Sequence, residues 1–207
     1  MIPVLNIIHI PIDQLTGPLR SEATRREHNI KSHAFQHKIP YALWDGIMVK
    51  NLPHTGISRS HKQIVQHAKD MGLNLAFIAE DDFKLTSPNS WNHFIDNLPD
   101  DFDLYLGGIS GGAVNEDDKT VSSWSGLFFY AISHQFYDVF LAAPEEYNID
   151  RWLSGVGLPA IEKQLGRKPV YKVCYPMAAI TSDGISFKSG SHVNHDHFYK
   201  GYQKFQI

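Results

Sequence analysis

An apolar run that ends in three adjacent carboxylates constrains this chain most. Residues 73–79 have the sequence LNLAFIA, and Glu80, Asp81 and Asp82 follow directly. A run this apolar, entered through Gly72, is typical of a central parallel strand that is buried on both faces. Open α/β sheets bind ligands at the carboxyl ends of such strands. The sequence therefore predicts that the three acids lie at a binding edge of the sheet.

The same carboxylates predict a bound cation. Adjacent acids repel one another, and near a sheet edge they are hard to keep ionised without a positive charge. A divalent cation such as Mg²⁺ or Mn²⁺, held by one or two carboxylates and by substrate phosphates, relieves that repulsion. The alternative interpretation is an ordinary acidic turn that water solvates.

Composition excludes several other classes of protein. The chain has 207 residues, 43% of them hydrophobic, which favours one folded domain over residues 1–207 and argues against disorder. A formal charge of -3 gives no basic surface for nucleic acid. The only cysteine, Cys174, excludes an intramolecular disulfide and is expected to be a buried, inert thiol. Without a signal peptide pattern or a membrane-length apolar run, we expect a soluble, cytoplasmic protein.

The order of predicted elements indicates the fold class. Strand patterns near residues 4–10, 39–44, 73–80, 103–107, 124–132 and 170–173 alternate with helix patterns at 21–35, 58–71 and 87–98 and after Ser133. This β-α-β order predicts a doubly wound α/β domain with a mostly parallel central sheet and helices on both faces. Residues 107–123 are rich in glycine and lack periodicity, so they are predicted to form a mobile surface loop.

A set of short motifs occurs along the chain in a fixed order. They are RREH at 25–28, IPY at 39–41, WDG at 44–46, SRSH at 58–61, EDD at 80–82, SGLFFYAIS at 125–133, IDRWL at 149–153, and YP followed by TSD within 175–183. Together they resemble glycosyltransferase family 25, the lipooligosaccharide and collagen galactosyltransferase group with a GT-A fold. The resemblance covers about residues 1–187, and the chain is short for the family.

The resemblance implies a metal-dependent, inverting transfer of a sugar. The donor would be a nucleotide-diphosphate sugar, in particular a UDP-sugar, and the acceptor a hydroxyl of a glycan or another molecule. Residues 1–110 would bind the nucleotide sugar, and residues 111–207 would supply the acceptor half and the tail. Two rival functions stay open: a metal-dependent nucleotidyltransferase or phosphotransferase, and a non-catalytic sugar- or nucleotide-binding module.

The family assigns the metal to the acidic strand end. Asp82 is the first choice as ligand, with Glu80 nearer the ribose or acting through water. Asp81 is counted with Glu80 among the residues that bind the nucleotide sugar, although it would face the other way if the chain stays extended. His192 and His195 are three residues apart, so on a helix they would share a face and supply a second ligand for Mn²⁺. The alternative for both histidines is an exposed polar tail.

The nucleotide pocket is expected to use four further residues. The first strand ends in His9-Ile10-Pro11 where the family has Asn-Leu-Asp, which assigns His9 to a pocket that is built differently. Asp45 resembles the family's acid near the uracil, or is a plain turn residue before a glycine. Ser60 and His61 are predicted in the first turn of a helix, where backbone N–H groups favour an anion. His61 can instead pack on the apolar stripe of that helix.

The inverting reaction requires a carboxylate that takes the proton of the acceptor hydroxyl. Asp150 is the predicted base because it matches the family's acid in the motif at 149–153. It can equally be a residue that only caps the helix it opens. Asp183 is the second candidate for the base.

Overall fold

A computed structural model describes residues 3–187 and 189–194 and shows mixed α/β structure. The strands are β1 Leu5–His9, β2 Tyr41–Asp45, β3 Leu75–Glu80, β4 Phe83–Leu85, β5 Leu104–Leu106, β6 Gly111–Val114, β7 Val121–Ser125, β8 Phe129–Ser133, β9 Tyr171–Val173, β10 Ala179–Thr181, β11 Gly184–Ile185 and β12 His192–Val193. The helices are α1 Gly17–Gln36, α2 Pro53–Asp70, α3 Ser90–Asp96, α4 Tyr137–Ala142, α5 Ile149–Arg151 and α6 Leu158–Leu165. Short 3₁₀ turns occur at Ile12–Gln14 and His134–Phe136, and a π-helical turn at Trp152–Val156 follows α5.

Within the described residues, six strands form the central sheet in the order β2-β1-β3-β8-β5-β9. β1 runs parallel to β2 and β3, and β5 runs parallel to β9. β8 is antiparallel to its two neighbours, β3 and β5. The predicted mostly parallel sheet is therefore confirmed. The carboxyl ends of β1, β2 and β3 meet at one edge, and β8 starts at that same edge.

Alternation along β3 decides where each acid points. Successive side chains of a strand face opposite sides of the sheet. Ile78 packs in the core layer that contains Ile64 and Val65 of α2, whereas Phe77 packs in the layer that contains Ile30 of α1. Helices thus cover both faces, as predicted. Continuing the alternation, Glu80 faces α2 and the next residue faces α1.

Three predictions about local structure were wrong. Residues 107–123 do not form a loop without structure, because β6 and β7 pair as an antiparallel hairpin with a bulge between Gly111 and Ala113. The strand predicted at 124–132 is interrupted at Gly126, whose φ of +96° turns the chain between β7 and β8. The second helix begins at Pro53 rather than at Ser58, since proline suits the first helical position.

Candidate functional site

A cleft of about 720 Å³ lies at the carboxyl ends of β1 and β3. One wall is the segment 47–53 before and at the start of α2, and another is the hairpin that β11 and β12 form. The residues that line it are Ile8, Ile10, Gln14, Arg26, Ile47, Met48, Val49, Lys50, Asn51, Pro53, Ile57, Ser60, His61, Glu80, Asp81, Asp82, Gly184, Ser186, Phe187 and Val193. The predicted acidic strand end is therefore part of a cleft.

Glu80 is fixed from the α2 side of the sheet. Its Oε1 lies 3.0 Å from His61 Nε2, and His61 Nδ1 lies 2.9 Å from the hydroxyl of Tyr130 on β8. The His61 side chain is 1% exposed, whereas that of Glu80 is 33% exposed. Burial, and then the charge of Glu80, raises the pKa of Tyr130 well above its usual value, so the phenol stays protonated. Glu80 is thus an accessible carboxylate held by buried groups.

Asp81 faces α1 and is used within the protein. Its Oδ1 accepts a hydrogen bond of 2.7 Å from Arg26 Nη1, and its Oδ2 accepts one of 3.2 Å from the backbone N–H of Ile10. Burial raises the pKa of Asp81, while Arg26 acts in the opposite direction. Asp81 faces away from Glu80, as expected, but not from Asp82, which follows the end of β3 and lies 3.6 Å from the same Arg26. Both oxygens have protein partners, so Asp81 anchors β1 and α1 rather than offering a free ligand.

Asp82 is the acid with unused bonding capacity. Its Oδ1 is buried and has no hydrogen-bond partner among the described residues, and its Oδ2 lies 3.6 Å from Arg26 Nη1. Burial, and then the charge of Glu80, raises the pKa of Asp82 to about 8, although Arg26 partly offsets both. A buried acceptor without a donor is costly, so this atom calls for a positive group or a donor that the described part of the protein does not supply.

Arg26 connects the acids to the carboxyl-terminal hairpin. Besides Asp81, its guanidinium donates to Glu22 Oε1 at 2.9 Å and to the carbonyl oxygen of Ile185 at 3.0 Å, and it lies 4.7 Å from the centre of the Phe187 ring. Burial acts to lower the pKa of Arg26, but the charges of Asp82 and Asp81 outweigh it and the net shift is upward. The arginine therefore stays charged and holds two sides of the cleft together.

A divalent cation fits the donor set at Glu80 and Asp82. Within residues 3–187 and 189–194, no group of three or more histidine, cysteine or acidic side chains is arranged to hold a metal. Two carboxylates, one with a buried unpartnered oxygen, instead match the sites in which Mg²⁺ or Mn²⁺ is shared between one or two carboxylates and substrate phosphates. The cation would need the substrate to complete its coordination.

The rest of the cleft combines an apolar wall with a lysine. Ile47, Met48 and Ile57 are 36%, 47% and 39% exposed and line the cleft next to the acids. Lys50 lies in the same wall, and within the described residues it makes no ion pair. Apolar surface beside a few placed polar groups is the usual composition of a small-molecule site.

His9 and Asp45 are neighbours at the ends of β1 and β2. The register pairs them directly, and His9 Nε2 lies 3.1 Å from Asp45 Oδ1. His9 Nδ1 is buried without a partner in the described part of the chain, while the Asp45 side chain is 78% exposed. The structure brings these two predicted pocket residues together at the sheet edge. Neither belongs to the lining of the cleft.

Ser60 and His61 occupy the interior of α2, so their predicted place in a first helical turn was wrong. Ser60 Oγ donates to the carbonyl oxygen of Gly56 and accepts from the N–H of Ile47, both at 2.8 Å. A Cβ built on Gly56 would lie 2.3 Å from the carbonyl oxygen of Ile47. Ser60 and Gly56 thus hold the apolar wall against α2. Their helix has its backbone donors internally satisfied there and offers no anion site.

Asp150 lies beyond the cleft. Its Oδ2 accepts the N–H of Gly126 at 3.0 Å, and its Oδ1 accepts the N–H of Arg151 at 2.7 Å. Gly126 is three residues before β8, so the contact joins α5 to the same sheet edge as Glu80. Asp150 therefore positions the turn between β7 and β8. A carboxylate has about four acceptor positions, so capacity for a further donor remains.

The predicted tail residues are spread apart. Asp183 is exposed, and its carbonyl oxygen accepts a hydrogen bond of 3.1 Å from Arg25 Nη2. His192 is in β12 rather than on a helix, so the argument from helical spacing was wrong. Its neighbour Val193 lines the cleft and His192 does not, as alternation along a strand requires. His195 lies outside the described residues.

Four functional candidates were missed from the sequence alone: Arg26, Lys50, Tyr130 and Phe187. The first pairs with an acid 55 positions away, and Tyr130 meets a histidine 69 positions away. Such contacts depend on which helix covers which face of β3. The signal available was the buried stripe of α1, in which Glu22 and Arg26 occupy positions four residues apart where apolar residues are expected.

Comparisons with known proteins assign no family. No family model matches the chain, and no curated protein matches it. Among solved structures, it is similar to a glycosyltransferase involved in glycosylation of the major capsid of PBCV-1, with 14% identity, a TM-score of 0.49, and 83% of this chain and 81% of that one covered. It is also similar to the inositol-1-phosphate CTP transferase from T. maritima, with 10% identity, a TM-score of 0.49, and coverage of 99% and 96%.

A third similar structure is HddC from Yersinia pseudotuberculosis complexed with GMP-PN, with 12% identity, a TM-score of 0.39 and full coverage of both chains. At these identities and TM-scores, none of the three assigns an activity to this chain. The resemblance to glycosyltransferase family 25 remains an expectation. Among the described residues, no helix has both the length and the apolar character needed to cross a bilayer.

Proposed function

We propose that this chain is a metal-dependent glycosyltransferase that moves a sugar from a nucleotide-diphosphate sugar, in particular a UDP-sugar, to a hydroxyl of a glycan or another acceptor. The observation that carries the proposal is the buried Oδ1 of Asp82, unpartnered among the described residues, beside the accessible Glu80 in a cleft of about 720 Å³. The cleft is large enough for a nucleotide-sized ligand.

The lining of the cleft matches the parts of such a donor. Asp82 and Glu80 would hold Mg²⁺ or Mn²⁺, which when bound neutralises the charge of the departing diphosphate. Lys50 would contact phosphate oxygens, and the apolar wall of Ile47, Met48 and Ile57 would take the base or the sugar ring, since all four side chains line the cleft. The cleft thus offers both the charged groups and the apolar surface that a nucleotide sugar requires.

The acceptor hydroxyl must lose a proton as its oxygen attacks the sugar carbon. Asp150 is the proposed base, with Asp183 as the alternative. Two backbone N–H groups fix the carboxylate of Asp150 near the start of β8, and its remaining lone pairs can accept from the hydroxyl. Lys50, and a cation held by Glu80 and Asp82, would neutralise the charge that develops on the leaving nucleoside diphosphate.

Thermal unfolding with a panel of nucleotide sugars, each with and without Mn²⁺, tests the proposal. A ligand at 100 times its dissociation constant adds about 2.7 kcal/mol to stability. We expect UDP or a UDP-sugar to stabilise the parent only when Mn²⁺ is present, and Asp82→Asn to lose that effect. Asp117→Asn, an equal charge change in the exposed turn of the β6–β7 hairpin, should keep it.

Product analysis separates the rival functions. A glycosyltransferase releases a nucleoside diphosphate from its donor, whereas a nucleotidyltransferase joins a nucleoside triphosphate to a phosphorylated acceptor and releases pyrophosphate. A non-catalytic module binds its ligand without turnover, and Asp150→Ala would then change nothing. Equal stabilisation of the parent and Asp82→Asn by Mn²⁺ and UDP would refute the site.

A further inference from the structure

We propose that His61 and Tyr130 are positioning residues, which fix the Glu80 carboxylate beside Asp82 so that the two acids face one divalent cation. The inference rests on the proposed function and deepens it. It also changes the expected role of His61, from a residue that contacts the nucleotide to one that acts through Glu80. Tyr130, which the sequence did not indicate as a site residue, supports His61.

The first step is the direction of the hydrogen bonds. A carboxylate can only accept, so His61 Nε2 carries a proton and donates to Glu80 Oε1 at 3.0 Å. With its proton on Nε2, the imidazole accepts at Nδ1, where the buried phenol of Tyr130 donates its O–H at 2.9 Å. Both ring nitrogens of His61 then have a partner, and the hydrogen bonds run in one direction, from Tyr130 to His61 to Glu80.

The second step concerns what Glu80 would do without this chain. Its side chain is 33% exposed, and within the described residues its only hydrogen bond is to His61. Without that bond, the glutamate would turn toward water and away from Asp82. The two buried partners prevent that rotation and hold the carboxylate close to Asp82, so that one cation can contact both acids.

The third step is the state of the facing acid. Arg26 is 2.7 Å from Asp81 but 3.6 Å from Asp82, so it compensates Asp82 only in part. Asp82 Oδ1 has no partner in the described part of the chain, and Glu80 makes a hydrogen bond there only to His61. Each acid therefore has an oxygen free for a common ligand. Helix α2 positions the imidazole, because His61 lies on the same buried face of α2 as Ile64 and Val65, which pack against β3.

The variant Tyr130→Phe tests the inference, since it removes one hydroxyl and keeps the ring. Tyr137→Phe is its matched control, because the Tyr137 hydroxyl is also buried but has no partner among the described residues. Mn²⁺ affinity is measured by electron paramagnetic resonance, with and without UDP. Nitrogen NMR of ¹⁵N-histidine protein, with His61→Gln to assign the signal, reports the ring without any metal.

We expect His61 in the parent to be protonated on Nε2, with its Nδ1 signal displaced in Tyr130→Phe but not in Tyr137→Phe. Loss of a group that supports a ligand costs about 10- to 100-fold in metal affinity, so Tyr130→Phe should bind Mn²⁺ about tenfold more weakly or worse. Tyr137→Phe should match the parent.

Three results would overturn the inference. A proton on Nδ1 would reverse the direction of the chain, and unchanged Mn²⁺ affinity in a folded Tyr130→Phe would show that the hydroxyl has no positioning role. Equal losses in both variants would indicate general damage to packing. Failure of the proposed function looks different: the parent itself would bind no Mn²⁺ with or without UDP, and the inference would fall with it.

Discussion

The guanidinium of Arg26 donates a 2.7 Å hydrogen bond to Asp81, and each of the two side chains is only 8% exposed. The pair joins α1 to the end of β3 across the α1 face of the sheet. Because the same arginine also bonds the carbonyl oxygen of Ile185, one buried side chain links the first helix, the acidic strand end and the carboxyl-terminal hairpin.

Replacing Arg26 is therefore expected to destabilise the fold strongly. Arg26→Met leaves Asp81 buried without its charged partner and leaves Glu22 with Arg25 alone, and breaking a buried ion pair typically costs about 3–5 kcal/mol. Urea unfolding measures the loss. Arg25→Met is the matched control on the same helix, because that side chain is 43% exposed and its pair with Glu22 should contribute about 1 kcal/mol or less. Similar losses of unfolding free energy in the two variants would contradict the claim that Arg26 contributes more to stability than Arg25.

The sheet was predictable because its signals are local. Apolar runs, capping residues and glycines indicated the order of the strands and helices. Gly72, whose φ is +64°, follows the end of α2 as expected. The acidic strand end was also visible, since carboxylates directly after an apolar run mark the point where a buried strand reaches a polar edge. What the sequence could not show is which acid is already neutralised, because that depends on Arg26 folding against β3.

The misplaced predictions share a physical cause. Ser58 is a good cap, which favours a helix start next to Ser60 and His61, yet the helix extends back to Pro53 once Gly56 lets it approach the carbonyl oxygen of Ile47. The same kind of override affects the tail. The spacing between its histidines suits a helix, but pairing of β12 with β11 produces a strand instead. In both cases a tertiary contact decided the local conformation.

His192→Ala is expected to leave Mn²⁺ and nucleotide affinity within about twofold of the parent. The side chain is exposed, and alternation along β12 turns Val193 rather than His192 toward the cleft. Isothermal titration with Mn²⁺ and UDP measures both affinities. Losing a true metal ligand or its support costs about tenfold or more, so a loss of that size would restore His192 as a ligand.

Gly56→Ala should move or destabilise the apolar wall of the cleft. The added methyl group would lie 2.3 Å from the carbonyl oxygen of Ile47, a backbone atom that cannot turn aside. Overpacking of this kind costs about 1–3 kcal/mol. Gly155→Ala is a suitable control, because a Cβ there meets nothing within 4 Å. Chemical denaturation gives the stability difference, and amide exchange of residues 46–51 shows whether the wall opens. Equal stability of the two variants would contradict the close approach.

The metal-free protein should lose stability as pH rises between about 4 and 8, and Asp82 should be one cause. Burial, and then the charge of Glu80, raises the folded pKa of Asp82 to about 8, whereas the ordinary pKa of the group is 3.8. Between these values the folded state holds a proton that the unfolded state has released. Unfolding free energy falls with pH wherever the folded state binds more protons, so this contribution is fully present below pH 3.8 and lost above pH 8.

Asp82→Asn removes the titration and keeps the size of the side chain. One unit of difference between folded and unfolded pKa corresponds to about 1.4 kcal/mol, so at about pH 8.5 without metal the variant should be at least ~1 kcal/mol more stable than the parent. The advantage should shrink toward about pH 4, where Asp82 is neutral in the folded state. Urea unfolding in chelator across this pH range provides the measurement.

Adding Mn²⁺ and UDP should raise the stability of the parent alone and so make the parent more stable than Asp82→Asn at about pH 8.5. A parent that is more stable than Asp82→Asn in chelator at the alkaline end of the range would show that the carboxylate is compensated within the protein, and the argument for a cation at this oxygen would fail.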